Sequence, residues 1–84
     1  MFDLVFSNQA KRFLKKIDSQ TAKRILERIE KLQKEPFPSD VKRVVNRKEK
    51  IFRIRIGDYR VQYSVLYDKN ILFISEIEKR PRAY

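Results

Sequence analysis

Residues 51–60 read "IFRIRIGDYR", and three of these ten residues are arginines. Apolar residues alternate with Arg53 and Arg55, which is the period of a half-buried strand. Gly57-Asp58 then interrupts the alternation, and Tyr59-Arg60 restarts it. A two-residue Gly-Asp loop between alternating runs is a hairpin signal, and glycine in first place suits a type II′ turn. That turn sets the register. Ile56 pairs with Tyr59, Arg55 with Arg60, and Arg53 with Gln62. One face of the hairpin then carries Phe52, Ile54, Ile56, Tyr59, Val61, Tyr63 and Val65. The other carries Arg53, Arg55, Arg60, Gln62 and Ser64.

Working outward, a third segment at 71–79 follows a turn at Asp68-Lys69-Asn70, so three antiparallel strands are expected at 51–56, 59–67 and 71–79. Upstream, "MFDLVF" alternates Phe2, Leu4 and Phe6 against Asp3 and Val5, as a first strand does. Ser7 or Asn8 can cap a helix bearing Ala10, Phe13, Leu14 and Ile17. Asp18 and Ser19 offer a break and a second cap. Ala22, Ile25, Leu26, Ile29 and Leu32 form the next apolar stripe, with Lys23, Arg24, Glu27 and Glu30 facing water. Pro36 and Pro38 in "EPFPSD" end the helices, and Phe37 is expected to fold back onto the core. "VKRVV" (41–45) is a candidate short strand, and "NRKEK" a polar connection. The fold class is therefore α+β: an N-terminal strand and a helical hairpin packed on a small, mostly antiparallel sheet of about four strands. The place of the first strand in that sheet does not follow from sequence. Residues 1–84 form a single domain, without repeats or a flexible linker.

The chain has 84 residues, a net charge of +10, and neither cysteine nor histidine. Disulfides and thiolate nucleophiles are excluded, and the sequence offers no metal site or cofactor motif. No apolar run approaches membrane-spanning length and no signal peptide opens the chain, so a cytoplasmic protein with no membrane partner is expected. The positive excess favours polyanions, with nucleic acid first and an acidic protein second. Lys- and Glu-rich surfaces also occur in proteins from hot environments, which is the bland alternative.

Arg55 directly opposite Arg60 is informative, because like charges facing each other across strands cost up to roughly 1 kcal/mol. A structural account needs nearby carboxylates. The hairpin offers only Asp58, with Glu76 or Glu78 on the last strand as further candidates. The functional account is an anion site in which guanidiniums converge on phosphate. The ending "SEIEKRPRAY" adds Lys79, Arg80, Arg82 and Tyr84. Such a tail either frays as idle charge or stacks on and grips single-stranded RNA. In "ILFIS", apolar residues supply both sheet faces, which places Leu72 and Ile74 either partly under an acidic partner or under curled sheet edges and the C-terminal tail.

The segments "FRIRIGDYRVQYSV" (52–65) and "EKRPRAY" (78–84), with the element order from "MFDLVFSNQAKRFLKKI" onward, resemble the RelE/ParE toxin superfamily, and in particular RelE-like messenger-RNA interferases. The resemblance covers essentially the whole chain. It implies a ribosome-dependent endoribonuclease cutting mRNA in the A site. In that family the RNA's 2′-hydroxyl is the nucleophile, no metal takes part, and a RelB-like antitoxin wraps the toxin. Arg60 and Arg80 match the family's catalytic arginines. Tyr84 aligns with its C-terminal tyrosine after a small gap. Arg53 and Arg55 stand where members carry lysine or arginine, and Arg55 joins the catalytic set. Arg53, Arg55, Arg82, Arg47 and Lys48 are the expected RNA contacts. Arginine is a poor proton acceptor, so Tyr84, Glu76, Glu78 or ribosomal RNA is left to take the proton. Two rivals share the sequence: a ParE-like gyrase inhibitor without nuclease activity, and an RNA-binding module without chemistry.

Overall fold

The computed structural model describes residues 1–44 and 50–79. The expectations placed on Arg47, Lys48, Arg80, Arg82 and Tyr84 lie outside the described residues. Strand β1 spans Asp3–Phe6, helix α1 Asn8–Lys16 and helix α2 Ser19–Lys34. Strands β2 (Lys42–Arg43), β3 (Phe52–Ile56), β4 (Tyr59–Leu66) and β5 (Ile71–Lys79) follow.

Local chemistry sets the helix starts. The Ser7 hydroxyl accepts from the Ala10 N–H at 3.1 Å, and the Asp18 carboxylate accepts from the Thr21 N–H at 3.0 Å. Each satisfies a donor that the first helical turn leaves without a partner. The hydrogen bonds from Thr21 hold the Asp18 carboxyl below the usual carboxylate range. A depressed carboxylate stabilises the fold above its unfolded-state pKa, and that contribution is lost as pH falls through its lowered folded-state value. The helices end before Pro36 and Pro38, as expected. Phe37 stays 41% exposed and meets the Phe52 ring edge-on, with centroids 4.8 Å apart. It folds back onto Phe52, which itself packs against the core, and stays on the outer side of that ring.

Among the described residues the sheet has five strands in the order β1-β5-β4-β3-β2. The three strands expected from 51 onward are present, with β4 closing at Leu66 where a short 3-10 turn over Tyr67–Lys69 begins. Asn70 completes that turn in the left-handed region, at φ 55°. Asparagine tolerates this region better than most residues. The sheet exceeds the expected four strands because both weak candidates join it. β1 adds to the outer side of β5 in parallel, the one parallel pairing among the described residues, and the two-residue β2 adds to β3.

Ala10, Ile25, Ile29 and Leu32 from the helices close over Ile54, Val61, Tyr63, Leu72, Ile74 and Ile77 from the sheet. Leu72 and Ile74 are fully buried by the chain's own helices. The expectation that a partner or a curled edge covers them is therefore corrected: they point to the helix side, while Ile71 and Phe73 take the open side. Tyr63 is fully buried, and its hydroxyl donates to the Pro36 carbonyl at 2.5 Å, tying the chain after α2 to β4. Burial pushes the Tyr63 phenol well above its ordinary pKa.

β5 carries the irregularity that shapes the open face. Tyr63 pairs with Ile74, but Gln62 pairs with Glu76, so Ser75 is an extra residue. Such a bulge shifts the side-chain alternation by one. Before it, even-numbered residues face the helices. After it, Ile77 does, and Glu76 and Glu78 turn to the open face. The Ser75 hydroxyl donates to the Gln62 carbonyl at 3.1 Å, and its carbonyl accepts from the Ser7 hydroxyl at 2.8 Å.

Beyond the bulge β1 has ended, and Gln9 replaces it. The Gln9 amide donates to the Ile77 carbonyl at 2.7 Å and accepts from the Ile77 N–H at 2.9 Å, as a neighbouring strand would. Gln9→Ala is expected to cost about 1–3 kcal/mol, the penalty for leaving buried backbone groups unpaired. Urea unfolding reads this as a lower midpoint at unchanged slope. An unchanged midpoint would show that water substitutes for the amide.

Candidate nucleic-acid interface

The hairpin has the register read from its turn: Ile56 opposite Tyr59, Arg55 opposite Arg60, Arg53 opposite Gln62. Gly57 sits at φ 58° and Asp58 keeps a negative φ, which excludes the type I′ alternative and fits type II′. On the helix side Ile54 and Val61 are buried. The open side presents the arginines.

The neighbouring strands extend each arginine row. Lys42 of β2 lies opposite Arg53, giving a row Lys42–Arg53–Gln62–Glu76 across four strands. The next row is Arg55–Arg60–Glu78. Between them opens a cleft of about 350 Å³ lined by Asp40, Lys42, Arg53, Ile54, Arg55 and Arg60. Four cations therefore share one concavity with a single carboxylate. That carboxylate, Asp40, is already engaged by Arg28 at 2.5 and 2.6 Å. The cleft keeps a strong positive excess.

Arg60 is the structured member of the set. Its Nη2 lies 2.9 Å from a Glu78 carboxylate oxygen. The two side chains are 24% and 33% exposed. Glu78 thus supplies the carboxylate that a structural account of the arginine pair requires, though for one arginine only. Arg55 and Arg53 form no ion pair among the described residues. A partly exposed pair contributes about 0.2–1 kcal/mol, which offsets the repulsion between Arg55 and Arg60 without neutralising the cleft.

Sequence reasoning brought Arg53, Arg55 and Arg60 together correctly. It missed Lys42, which reaches the site through a strand pairing across the eight residues between Arg43 and Phe52, which no turn signal specifies. It named Glu78 only among several carboxylates, because the bulge that aims it has no local signature. No cluster of His, Cys, Asp or Glu suited to a metal occurs among the described residues. None of the described helices is long and apolar enough to cross a membrane.

A helical hairpin on one face of a mixed sheet, with a cationic cleft on the other, defines a small basic α+β protein. Residues 4–84 match the family model described as the ParE toxin of the type II toxin–antitoxin system parDE. The chain is 36% identical over 86 residues to a curated protein of Methanocaldococcus jannaschii named "Putative toxin RelE1", covering 99% of this chain and 94% of that protein. It therefore belongs to the RelE/ParE family of type II toxins. Among solved structures, the archaeal RelE–RelB complex from Pyrococcus horikoshii OT3 superposes with a TM-score of 0.83 at 29% identity, covering 98% of each chain. The isolated Escherichia coli RelE toxin superposes with a TM-score of 0.85 at 18% identity, covering 99% of this chain and 88% of that one, a likeness of fold.

Proposed function

We propose that this toxin is an endoribonuclease that cleaves messenger RNA in the ribosomal A site, and that a RelB-like antitoxin restrains it. The observation that carries the reading is the convergence of Lys42, Arg53, Arg55 and Arg60 on one cleft, in a chain whose relative is named for RelE. The solved archaeal relative is a RelE–RelB complex, and it supports an antitoxin partner for this chain.

RNA supplies its own nucleophile. The 2′-oxygen attacks the adjacent phosphorus, and the bond from phosphorus to the 5′-oxygen breaks. A 2′,3′-cyclic phosphate and a 5′-hydroxyl result. The 2′-hydroxyl proton passes to an acceptor, and the departing 5′-oxygen gains a proton. The phosphorane carries extra negative charge on its oxygens, and fixed guanidiniums stabilise it more than they stabilise the ground state. Arg55, Arg60 and Arg80 take that role. Arg53, Lys42, Arg82, Arg47 and Lys48 hold the backbone phosphates, and Tyr84 stacks on or orients the scissile nucleotide. Arginines accept protons poorly, so the acceptor is a carboxylate on the same face, Tyr84, or ribosomal RNA. Dependence on the ribosome follows: chemistry with weak proton transfer gains most from rigid positioning of substrate.

Primer extension on translated and untranslated message tests the reading. Message ends within the A-site codon, seen only with ribosomes, are expected. A second reading has a specific observation behind it, since the matched family model is described as ParE. A ParE-like toxin would inhibit gyrase supercoiling and leave message intact.

A further inference from the structure

We infer that Glu78 is an intramolecular stand-in for the substrate phosphate, occupying Arg60 until an RNA backbone displaces it. The inference rests on the RNA-cleaving reading of the same cleft and adds what controls access to its central arginine.

Three observations carry it. First, the ion pair is incomplete. Nε–H and Nη2 are the two parallel donors on one edge of a guanidinium, and an oxyanion in the best geometry takes both. Glu78 takes Nη2 at 2.9 Å, while Nε is buried without a hydrogen-bond partner among the described residues. An unmet charged donor is costly, so this resting pose leaves stabilisation that a phosphate on both donors would recover. Second, Glu78 reaches the open face only because Ser75 is bulged. Without the extra residue, the alternation would turn Glu78 toward the helices. Third, the cationic pull lies on the other side of Arg60. Arg55 stands directly opposite it, with Arg53 and Lys42 beyond, all lining the cleft. A phosphate entering there meets several cations, whereas Glu78 approaches Arg60 from β5 alone. The guanidinium leaves Glu78 for the cleft when a phosphate is present, and returns when it is not.

The consequence is selectivity by delivery. A stray RNA strand must compete with a tethered carboxylate for Arg60. An RNA held in place by another body meets the same competition at a far higher effective concentration. Weak capture of free RNA is then a property of this chain's own residues.

The test is a double-mutant cycle on binding. The probe is a single-stranded, fully 2′-O-methylated RNA oligonucleotide, which lacks the nucleophile and stays intact. Glu78→Gln is expected to tighten binding about two- to fivefold, the range set by releasing a partly exposed ion pair. The slope of log K against log salt should steepen by up to about 0.7, one further phosphate contact on a single strand. Glu76→Gln removes the same charge from the same face without touching Arg60, and should give a smaller gain. In an Arg60→Ala background the Glu78→Gln gain should vanish. Thermal unfolding of each variant confirms that it is folded, and Glu78→Asp serves as a second variant should Glu78→Gln unfold. Equal binding by wild type and Glu78→Gln, including no binding by either, overturns the inference. So does an equal gain from Glu76→Gln, which would reduce the effect to net charge. Ribosome-dependent cleavage by wild type is read separately. Its absence with the binding cycle intact sinks the nuclease reading and leaves the phosphate competition standing.

Discussion

Arg60→Ala is expected to abolish most message cleavage while leaving the protein folded. Arg60, the second residue of β4, lies between the like charge of Arg55 on β3 and the carboxylate of Glu78 on β5. Truncation removes a favourable pair of about 0.2–1 kcal/mol and a repulsion of up to roughly 1 kcal/mol. The two nearly cancel, so the unfolding midpoint should stay close to that of wild type. The core beneath it, with Ile54, Val61 and Ile77 buried, is untouched. Activity responds differently. On the proposed reading the Arg60 guanidinium is one charged donor to the phosphorane, and loss of one such donor costs roughly 10²–10³ in rate. Thermal unfolding and ribosome-dependent cleavage are measured on the same preparation. A variant that cuts at the wild-type rate, or that does not fold, defeats the assignment of Arg60.

Removal of residues 80–84 is expected to have the larger effect on activity and as small an effect on folding. The described core ends at Ile77, and β5 ends at Lys79. The deletion takes Arg80, Arg82 and Tyr84 and no residue of that core. On the proposed reading cleavage and growth inhibition should both disappear, because that reading gives Arg80 to the phosphorane and Tyr84 to the scissile nucleotide. Antitoxin binding should survive. Growth assays and mapping of message ends, for full-length and truncated protein, give the result. A truncated form that still cuts within the A-site codon would place the chemistry elsewhere in the chain. A truncated form that kills through DNA damage would favour the gyrase reading.

Features that depend on a few consecutive residues were legible in the sequence. Ser7 and Asp18 cap their helices because their oxygens reach a backbone N–H three residues on, and nothing distant enters that geometry. Gly57-Asp58 sets the hairpin register because a two-residue turn admits one pairing, and so Arg55 meets Arg60. The apolar stripe of α2 named Ile25, Ile29 and Leu32, the residues the fold buries deepest on that helix. The family signature rested on the same hairpin and on the ending of the chain.

Tertiary structure alone decided three things, none of them announced by a local sequence signal. β1 pairs in parallel with β5 across nearly the whole chain, and no turn links them to announce it. β2 is too short to carry a pattern, yet its pairing with β3 delivers Lys42 to the cleft. The bulge at Ser75 turns Glu78 from the helix side to the arginine face. Its cause is the need to bury both Ile74 and Ile77, three residues apart, on one side of a strand whose side chains alternate every two. Charge and residue type therefore announced that a basic site exists. Only the closing of the sheet around its core determined which carboxylate holds Arg60.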